Sequence, residues 1–161
     1  MSLLWFYDDF FLWQEAYMVP MVSAQSTAGF SLFDSVPEDY FHFGVGNSFQ
    51  PKVVPEVLGL KREDVSKLAS VSLKSVRYDD SIPEPMRERL EEIAITINMV
   101  AKFFDGDTDK TVTWFRARNP MLGDVSPRDM IRLGRFERLR KFIINAVLDK
   151  NRTHVQEPEM A

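Results

Sequence analysis

The feature that most constrains this chain of 161 residues is a run of apolar side chains at helical spacing between Pro85 and Phe104. One stripe steps along the run by three or four residues and consists of Met86, Leu90, Ile93, Ile97, Val100 and Phe104. A second stripe, on a different face, consists of Ile95, Met99 and Phe103. A helix that is apolar on two faces is expected either to be central in a bundle or to lie at an oligomer interface. The second possibility makes a homodimer the expected assembly.

Shorter helices are predicted before this long helix. Apolar spacing favours a helix over 53–58 that Gly59 closes, and a second helix over 60–69. A third helix is predicted over 73–78, with Ser72 as its N-cap. Ser81 and Glu84 have the spacing of a capping box for the long helix itself.

Three further helices are predicted after the long helix. Thr108 is the expected cap of a helix that Asn119-Pro120 ends. Ser126-Pro127 is typical of a helix start, because serine caps and proline suits the first helical position. A last helix is expected over 136–149. No segment requires a sheet, so the predicted fold class is all-α: a helix-turn-helix-like bundle with a long central helix, followed by a small helical domain.

The predicted helices over 60–69 and 73–78 have the arrangement of a helix-turn-helix, in which the second helix lies in the major groove of DNA. Its candidate DNA contacts are Ser72, Lys74, Ser75 and Arg77. Residues 51–109 carry nine Lys or Arg and twelve acids. They therefore lack the broad basic surface expected of a DNA reader. A helical hairpin that serves as a scaffold is the alternative interpretation.

Charge is distributed unevenly along the chain, although the net charge is −4. Residues 1–50 hold six acids and no Lys or Arg, whereas residues 110–152 hold eleven Lys or Arg and four acids. A basic segment suits an acidic partner surface or phosphate, and an acidic arm could shield it within the molecule. A solvated helical surface with uneven charge is the alternative.

The first 22 residues are rich in aromatic side chains, but acids interrupt the apolar run. The segment therefore resembles neither a secretory signal nor a membrane span. It is expected to pack on the domain or on a second copy, or to bind a partner. Met18 and Met21 are alternatives to Met1 as the natural start. Residues 23–51 favour a linker or an ordered loop.

Motifs for catalysis or metal binding do not emerge from the sequence. The chain has no cysteine. Residues 105–109 resemble the start of a calcium loop, but Lys110 and Arg116 occupy the places of its glycine and its bidentate glutamate. Nothing supplies a nucleophile with a base. We therefore expect no enzyme activity, no cofactor and no metal, and a cytoplasmic location.

Residues 114–134 read Trp-Phe-Arg-Ala-Arg-Asn-Pro-Met-Leu-Gly-Asp-Val-Ser-Pro-Arg-Asp-Met-Ile-Arg-Leu-Gly. This run resembles the C-terminal toxin-binding domain of the Xre/MbcA/ParS antitoxin family. The shared features are a tryptophan helix, an Asn-Pro-x-Leu-Gly turn, a Ser-Pro helix start and a glycine after a short apolar helix. The resemblance extends over about 52–150. Asp124 departs from it, because the family often has a second glycine there, and residues 1–50 match nothing in the pattern.

The resemblance implies a partner toxin of the RES-domain class, which consumes NAD. Members of the family block access to the toxin's active site and often repress their own operon. Trp114 is interpreted as a core anchor or a toxin contact. The other candidate toxin-binding residues are Arg116, Arg118, Asn119, Arg128, Arg132 and Arg135. The arginines suit charge-assisted contacts to an acidic rim, the alternative being a solvated face.

The sequence thus predicts four regions. An aromatic, acidic arm and loop covers 1–51, and a helix-turn-helix-like region covers 52–105. A toxin-binding helical domain covers 106–152, and a flexible tail covers 153–161. The expected function is that of an antitoxin for a RES-type toxin, with possible binding of operator DNA. The alternative is a helix-turn-helix transcriptional regulator without a toxin partner.

Overall fold

The computed structural model describes residues 36–46 and 48–155. The fold of this part is all-α apart from one small hairpin, formed by β1 (Gly44–Val45) and β2 (Ser48–Phe49) in antiparallel register. The helices are α1 (Val53–Leu58), α2 (Arg62–Leu68), α3 (Glu84–Phe103), α4 (Thr108–Arg116), α5 (Pro127–Arg132) and α6 (Phe136–Val155). Single 3₁₀ turns lie at Leu73–Ser75 and Pro120–Leu122.

Helix α3 is the centre of the bundle, as the first apolar stripe predicts. Met86, Leu90, Ile93 and Ile97 are fully buried. Helices α1, α2, α4 and α6 all contact α3. In the second stripe, Ile95 and Met99 are half-buried and pack against the same core, so most of this stripe is used within the chain.

One hydrophobic cluster extends from the hairpin to the last helix. It includes Phe43 and Phe49 of the hairpin, Leu90 of α3, Phe115 of α4 and Leu139 of α6. The predicted regions 52–105 and 106–152 therefore share one core among the described residues.

The last third of the predicted N-terminal arm belongs to the folded unit. Asn98 of α3 accepts the N–H of Tyr40 at 3.1 Å and donates to the carboxylate of Asp39 at 3.2 Å. Asp39 in turn accepts the N–H of Gly44 at 2.9 Å. Residues 39–46 and 48–50 are thus a loop and hairpin held on α3. The remainder of the arm, residues 1–35, lies outside the described residues.

The prediction of a helix over 73–78 is wrong. The segment forms a single 3₁₀ turn, and Ser72 makes no capping hydrogen bond. The guanidinium of Arg62 instead donates to the carbonyl oxygens of Leu73 and Val76, at 3.3 and 2.8 Å. The chain leaves the helical conformation at Val76, whose backbone is extended (φ −67°, ψ 110°).

The N-cap residues of two helices also differ from the predicted ones. Ser81 donates its N–H to the Asp79 carboxylate at 2.9 Å, in a turn that precedes α3, and Pro83 occupies the cap position. The cap of α4 is Asp107, whose carboxylate accepts the Lys110 N–H at 2.9 Å, and Thr108 is the first helical residue. An ionised carboxylate is at least as good a cap as a hydroxyl.

Other helix ends agree with the sequence. Gly59 ends α1 in the left-handed conformation, and Ser126 caps α5. Helix α6 is longer than predicted, because it continues through Val155. The first residues of the predicted flexible tail are therefore helical, and residues 156–161 lie outside the described part.

Candidate functional site

The turn between α4 and α5 is held by hydrogen bonds from its own signature residues. The side chain of Asn119 accepts the N–H of Met121 at 2.9 Å. Its main chain exchanges hydrogen bonds with the other side of the turn, since Asn119 N–H donates to the Val125 carbonyl and the Asp124 N–H donates to the Asn119 carbonyl. Asn119 thus stabilises the turn through hydrogen bonds of both its side chain and its main chain, and we call residues 118–126 the braced turn.

Two consecutive residues of this turn have left-handed backbones. Gly123 has φ 78° and Asp124 has φ 62°. Glycine adopts this region without steric cost, and Asp is among the side chains that tolerate it. Arg118 holds the second position, because it donates to the Asp124 carbonyl at 2.8 Å and pairs with its carboxylate at 3.0 Å. The geometry explains why a glycine would suit position 124 and how Asp124 is held there.

Met121 lies at the exposed tip of the turn, with 76% of its surface accessible, while its neighbour Leu122 is buried in the core. An exposed methionine on a braced turn offers adaptable apolar contact area to a partner. Met121 is not among the site residues predicted from the sequence. Its position two residues after the bracing Asn119, directly before the buried Leu122, is the signal that could have identified it.

Helix α5 is fixed to α2 by a chain of polar contacts. The Ser126 hydroxyl donates to the Asp129 carboxylate at 2.8 Å and accepts the Asp129 N–H at 3.1 Å. Arg132 pairs with Asp129 and also with Asp64 of α2, each at 3.2 Å. The Ser126 hydrogen bond lowers the pKa of Asp129, with further lowering by Arg128 and Arg132 against the effect of partial burial.

The candidate arginines consequently fall into two groups. Arg132 and Arg128 lie partly within the fold: Arg132 bridges two helices, and Arg128 is half-buried, with an Nε that has no hydrogen-bond partner among the described residues. Arg116 and Arg135 are exposed and have no ion pair within the described part of the chain. Arg118 combines both properties, since it braces the turn while three quarters of its side chain remains exposed.

Trp114 is not the buried anchor of this region. That position belongs to its neighbour Phe115, which is 1% exposed and meets the Trp114 ring edge-on at 5.1 Å. Trp114 is half-buried and lines an apolar groove between the end of α3, α4 and α6. We call this the α3–α6 groove; it has a volume of about 180 Å³, and its apolar walls include Phe103, Phe104, Trp114, Phe142, Ala146 and Val147.

The four candidate DNA contacts do not share a helix face. Lys74 and Ser75 lie in the 3₁₀ turn at Leu73–Ser75, Ser72 precedes this turn and Arg77 follows it. Ser72 and Ser75 bond to each other through their hydroxyls at 2.7 Å. Lys74 and Arg77 are exposed. A turn of three residues does not present side chains along a major groove as a recognition helix does.

No protein-family model, curated protein or solved structure matches this chain. Within the described residues, no helix has both the length and the apolar character needed to cross a lipid bilayer.

Proposed function

We propose that the chain is an antitoxin that binds and neutralises a RES-type, NAD-consuming toxin. The observation that carries the proposal is the braced turn of residues 118–126, which projects Met121 into solvent beside the exposed Arg118. The 114–134 signature supports the same conclusion, because its Asn119, Gly123 and Ser126 each have a defined structural task in this turn.

The chemistry of the turn suits a protein interface. Methionine and arginine are enriched at interface cores, and a surface that is already ordered loses little conformational entropy on binding. Met121 would enter an apolar pocket of the toxin, and the guanidinium groups of Arg116 and Arg118 would meet carboxylates at its rim. Bound there, the antitoxin would keep NAD from the toxin's active site. This proposal places the chain in the cytoplasm, where such a toxin meets its substrate.

Coexpression with the product of the neighbouring gene tests the function. We expect the neighbour alone to arrest growth and deplete NAD, and this chain to restore both. A neighbour that is harmless, or that stays toxic beside this chain, would contradict the proposal.

The site is tested by Met121→Glu with Leu73→Glu as the matched control, since Leu73 is also an exposed apolar residue but lies in another turn. We expect Met121→Glu to weaken toxin binding by about 2 kcal/mol, which is roughly thirtyfold in Kd. Leu73→Glu should bind as the unmodified chain does. Equal affinity of the two variants for the toxin would show that Met121 is not in the binding surface. It would not contradict the coexpression test of the function.

A DNA-binding regulator is the second candidate function, and the 3₁₀ turn at Leu73–Ser75 gives it less support. Lys74 and Arg77 remain its exposed cations. Salt-dependent binding to the chain's own promoter would favour it, and no binding at low salt would exclude it. Homodimerisation also stays a prediction, which light scattering decides.

A further inference from the structure

The α3–α6 groove is an apolar space with the size of one large side chain. Its volume of about 180 Å³ is comparable with that of apolar cavities that hold a benzene molecule, roughly 150 Å³. Phe103 on its wall is 38% exposed, and Trp114 and Phe142 are half-buried. The groove therefore leaves apolar surface open that one aromatic or branched aliphatic side chain would cover.

Two residues at this groove carry spare hydrogen-bond donors. Lys150 of α6 donates to the carbonyl of Phe103 at 3.0 Å, its Nζ lies 4.4 Å from the centroid of the Phe103 ring, and it makes no ion pair with a described residue. Asn119 uses its Oδ1 to accept the Met121 N–H, and its Nδ2 has no acceptor within the described part of the chain. Such a surface suits an occupant that combines an apolar side chain with a carboxylate.

The groove is continuous with the braced turn, because Asn119 belongs to both. Met121 is only two residues further along, and hence within about 7 Å of Asn119. Both parts of this surface offer the same chemistry, which is apolar area beside a cation: Met121 lies near Arg118, and Phe103 contacts Lys150. A partner that is seated on the braced turn therefore meets the groove as well.

We propose, on the basis of the antitoxin function proposed above, that the toxin inserts one aromatic or large aliphatic side chain into the α3–α6 groove. A carboxylate of the same toxin segment pairs with Lys150. The hydrogen bond to the Phe103 carbonyl already holds Lys150 in place, so the pairing costs little further side-chain entropy. Apolar burial supplies affinity, and the ammonium group selects an acidic segment over a basic one.

Filling the groove tests the proposal. Ala146→Arg places a long side chain on the groove wall, and Asn145→Arg is its matched control, because it adds the same charge at an exposed position of the same helix. Calorimetric titration with the purified product of the neighbouring gene should give a Kd about tenfold or more higher for Ala146→Arg, and an unchanged Kd for Asn145→Arg. Circular dichroism checks that both variants are folded.

Lys150→Met provides a milder test, since it keeps the side-chain stem and removes the charge. We expect the Kd for the toxin to rise about fivefold at low salt, the difference to shrink at high salt, and Lys150→Arg to restore most of the affinity. A Kd that is unchanged by Lys150→Met, or a loss of affinity that salt does not reduce, would contradict the pairing with a carboxylate.

Photo-crosslinking identifies the occupant. With p-benzoylphenylalanine at Phe142, the complex should yield a crosslinked toxin peptide that contains an aromatic or large aliphatic residue near an Asp or Glu, at a higher yield than with the probe at Asn145. A crosslink to a second copy, or to another segment of this chain, in place of the toxin would overturn the proposal.

The outcomes separate this proposal from the proposed function. Equal Kd values for Ala146→Arg and Asn145→Arg, in a chain that still neutralises the toxin, would exclude the groove as a toxin site and leave the antitoxin function supported. No binding of the neighbouring gene's product by the unmodified chain would instead contradict the antitoxin function itself, and with it the role of the groove.

Discussion

Two segments of the molecule begin with a serine and take different structures. The segment 126–133 starts at Ser126 and forms α5, whereas the segment 72–78 starts at Ser72 and forms one 3₁₀ turn. Both serines have extended backbones suited to an N-cap. The serine alone therefore does not decide which segment becomes a helix.

The difference lies in the apolar residues that come after each serine. In 126–133, Met130 and Ile131 bury completely against the core. In 72–78, Leu73 is 44% exposed, and Val76 is the one apolar side chain that is buried. A short helix is stable when it has a face to bury, because a single turn of backbone hydrogen bonds does not offset the entropy of ordering.

The largest effect is expected when an apolar residue is truncated in each of the two segments. Met130→Ala should lower the free energy of unfolding by about 2–5 kcal/mol, because it opens a cavity beneath α5. Leu73→Ala should cost less than about 1 kcal/mol, since its side chain is already partly in water. Urea denaturation followed by circular dichroism measures both. Equal losses of unfolding free energy would mean that burial does not explain why only one of the two segments is a helix.

Removing each serine hydroxyl sharpens the comparison. Ser126→Ala should destabilise the protein by about 1–2 kcal/mol, because the Asp129 N–H and carboxylate both lose a partner. Ser72→Ala should change stability by no more than about 0.5 kcal/mol, since its hydroxyl bonds to the exposed Ser75 hydroxyl. A large loss for Ser72→Ala would assign the hydroxyl a role that the geometry does not show.

The non-helical form of 72–78 can be tested at Arg62. Arg62→Met keeps most of the side-chain stem but removes the donors to the Leu73 and Val76 carbonyls, at a cost of about 1 kcal/mol. Hydrogen exchange should become faster in 73–78 and remain unchanged in 126–133. Exchange that slows in 73–78 would show that Arg62 suppresses a helix that forms readily without it.

The smallest expected effect is a pH dependence at Asp129. Its lowered pKa means that the carboxylate stabilises the fold above the usual pKa of about 4, and that this contribution is lost as pH falls through the lower folded value. The difference in unfolding free energy between the unmodified chain and Asp129→Asn should therefore be largest near neutral pH and shrink below about pH 4. In a Ser126→Ala background, the pH-dependent part should be smaller. A difference that grows in acid would contradict the assigned sign.

The candidate site was predictable where its residues act locally. Asn119, Gly123 and Ser126 each use hydrogen bonds within a few residues, so the sequence pattern indicates their tasks correctly. Arg132 and Trp114 were less predictable, because their neighbours are Asp64 and the α3–α6 groove, which are distant in sequence. Nothing local distinguishes an arginine that bridges helices from one that faces solvent.

The sequence by itself determined the all-α class and the buried first stripe of α3, because apolar side chains at a period of 3.6 residues form one face that must be buried. The structure decided that Ile95 and Met99 of the second stripe also pack within the chain. The sequence also determined the ends of α1 and α5 at Gly59 and Ser126. Tertiary structure alone decided that 72–78 is not a helix and that the hairpin joins the core. The form of 72–78 depends on how much apolar surface the rest of the fold covers there, and the place of the hairpin depends on whether Asn98 reaches the loop before it. Sequence spacing carries no record of either.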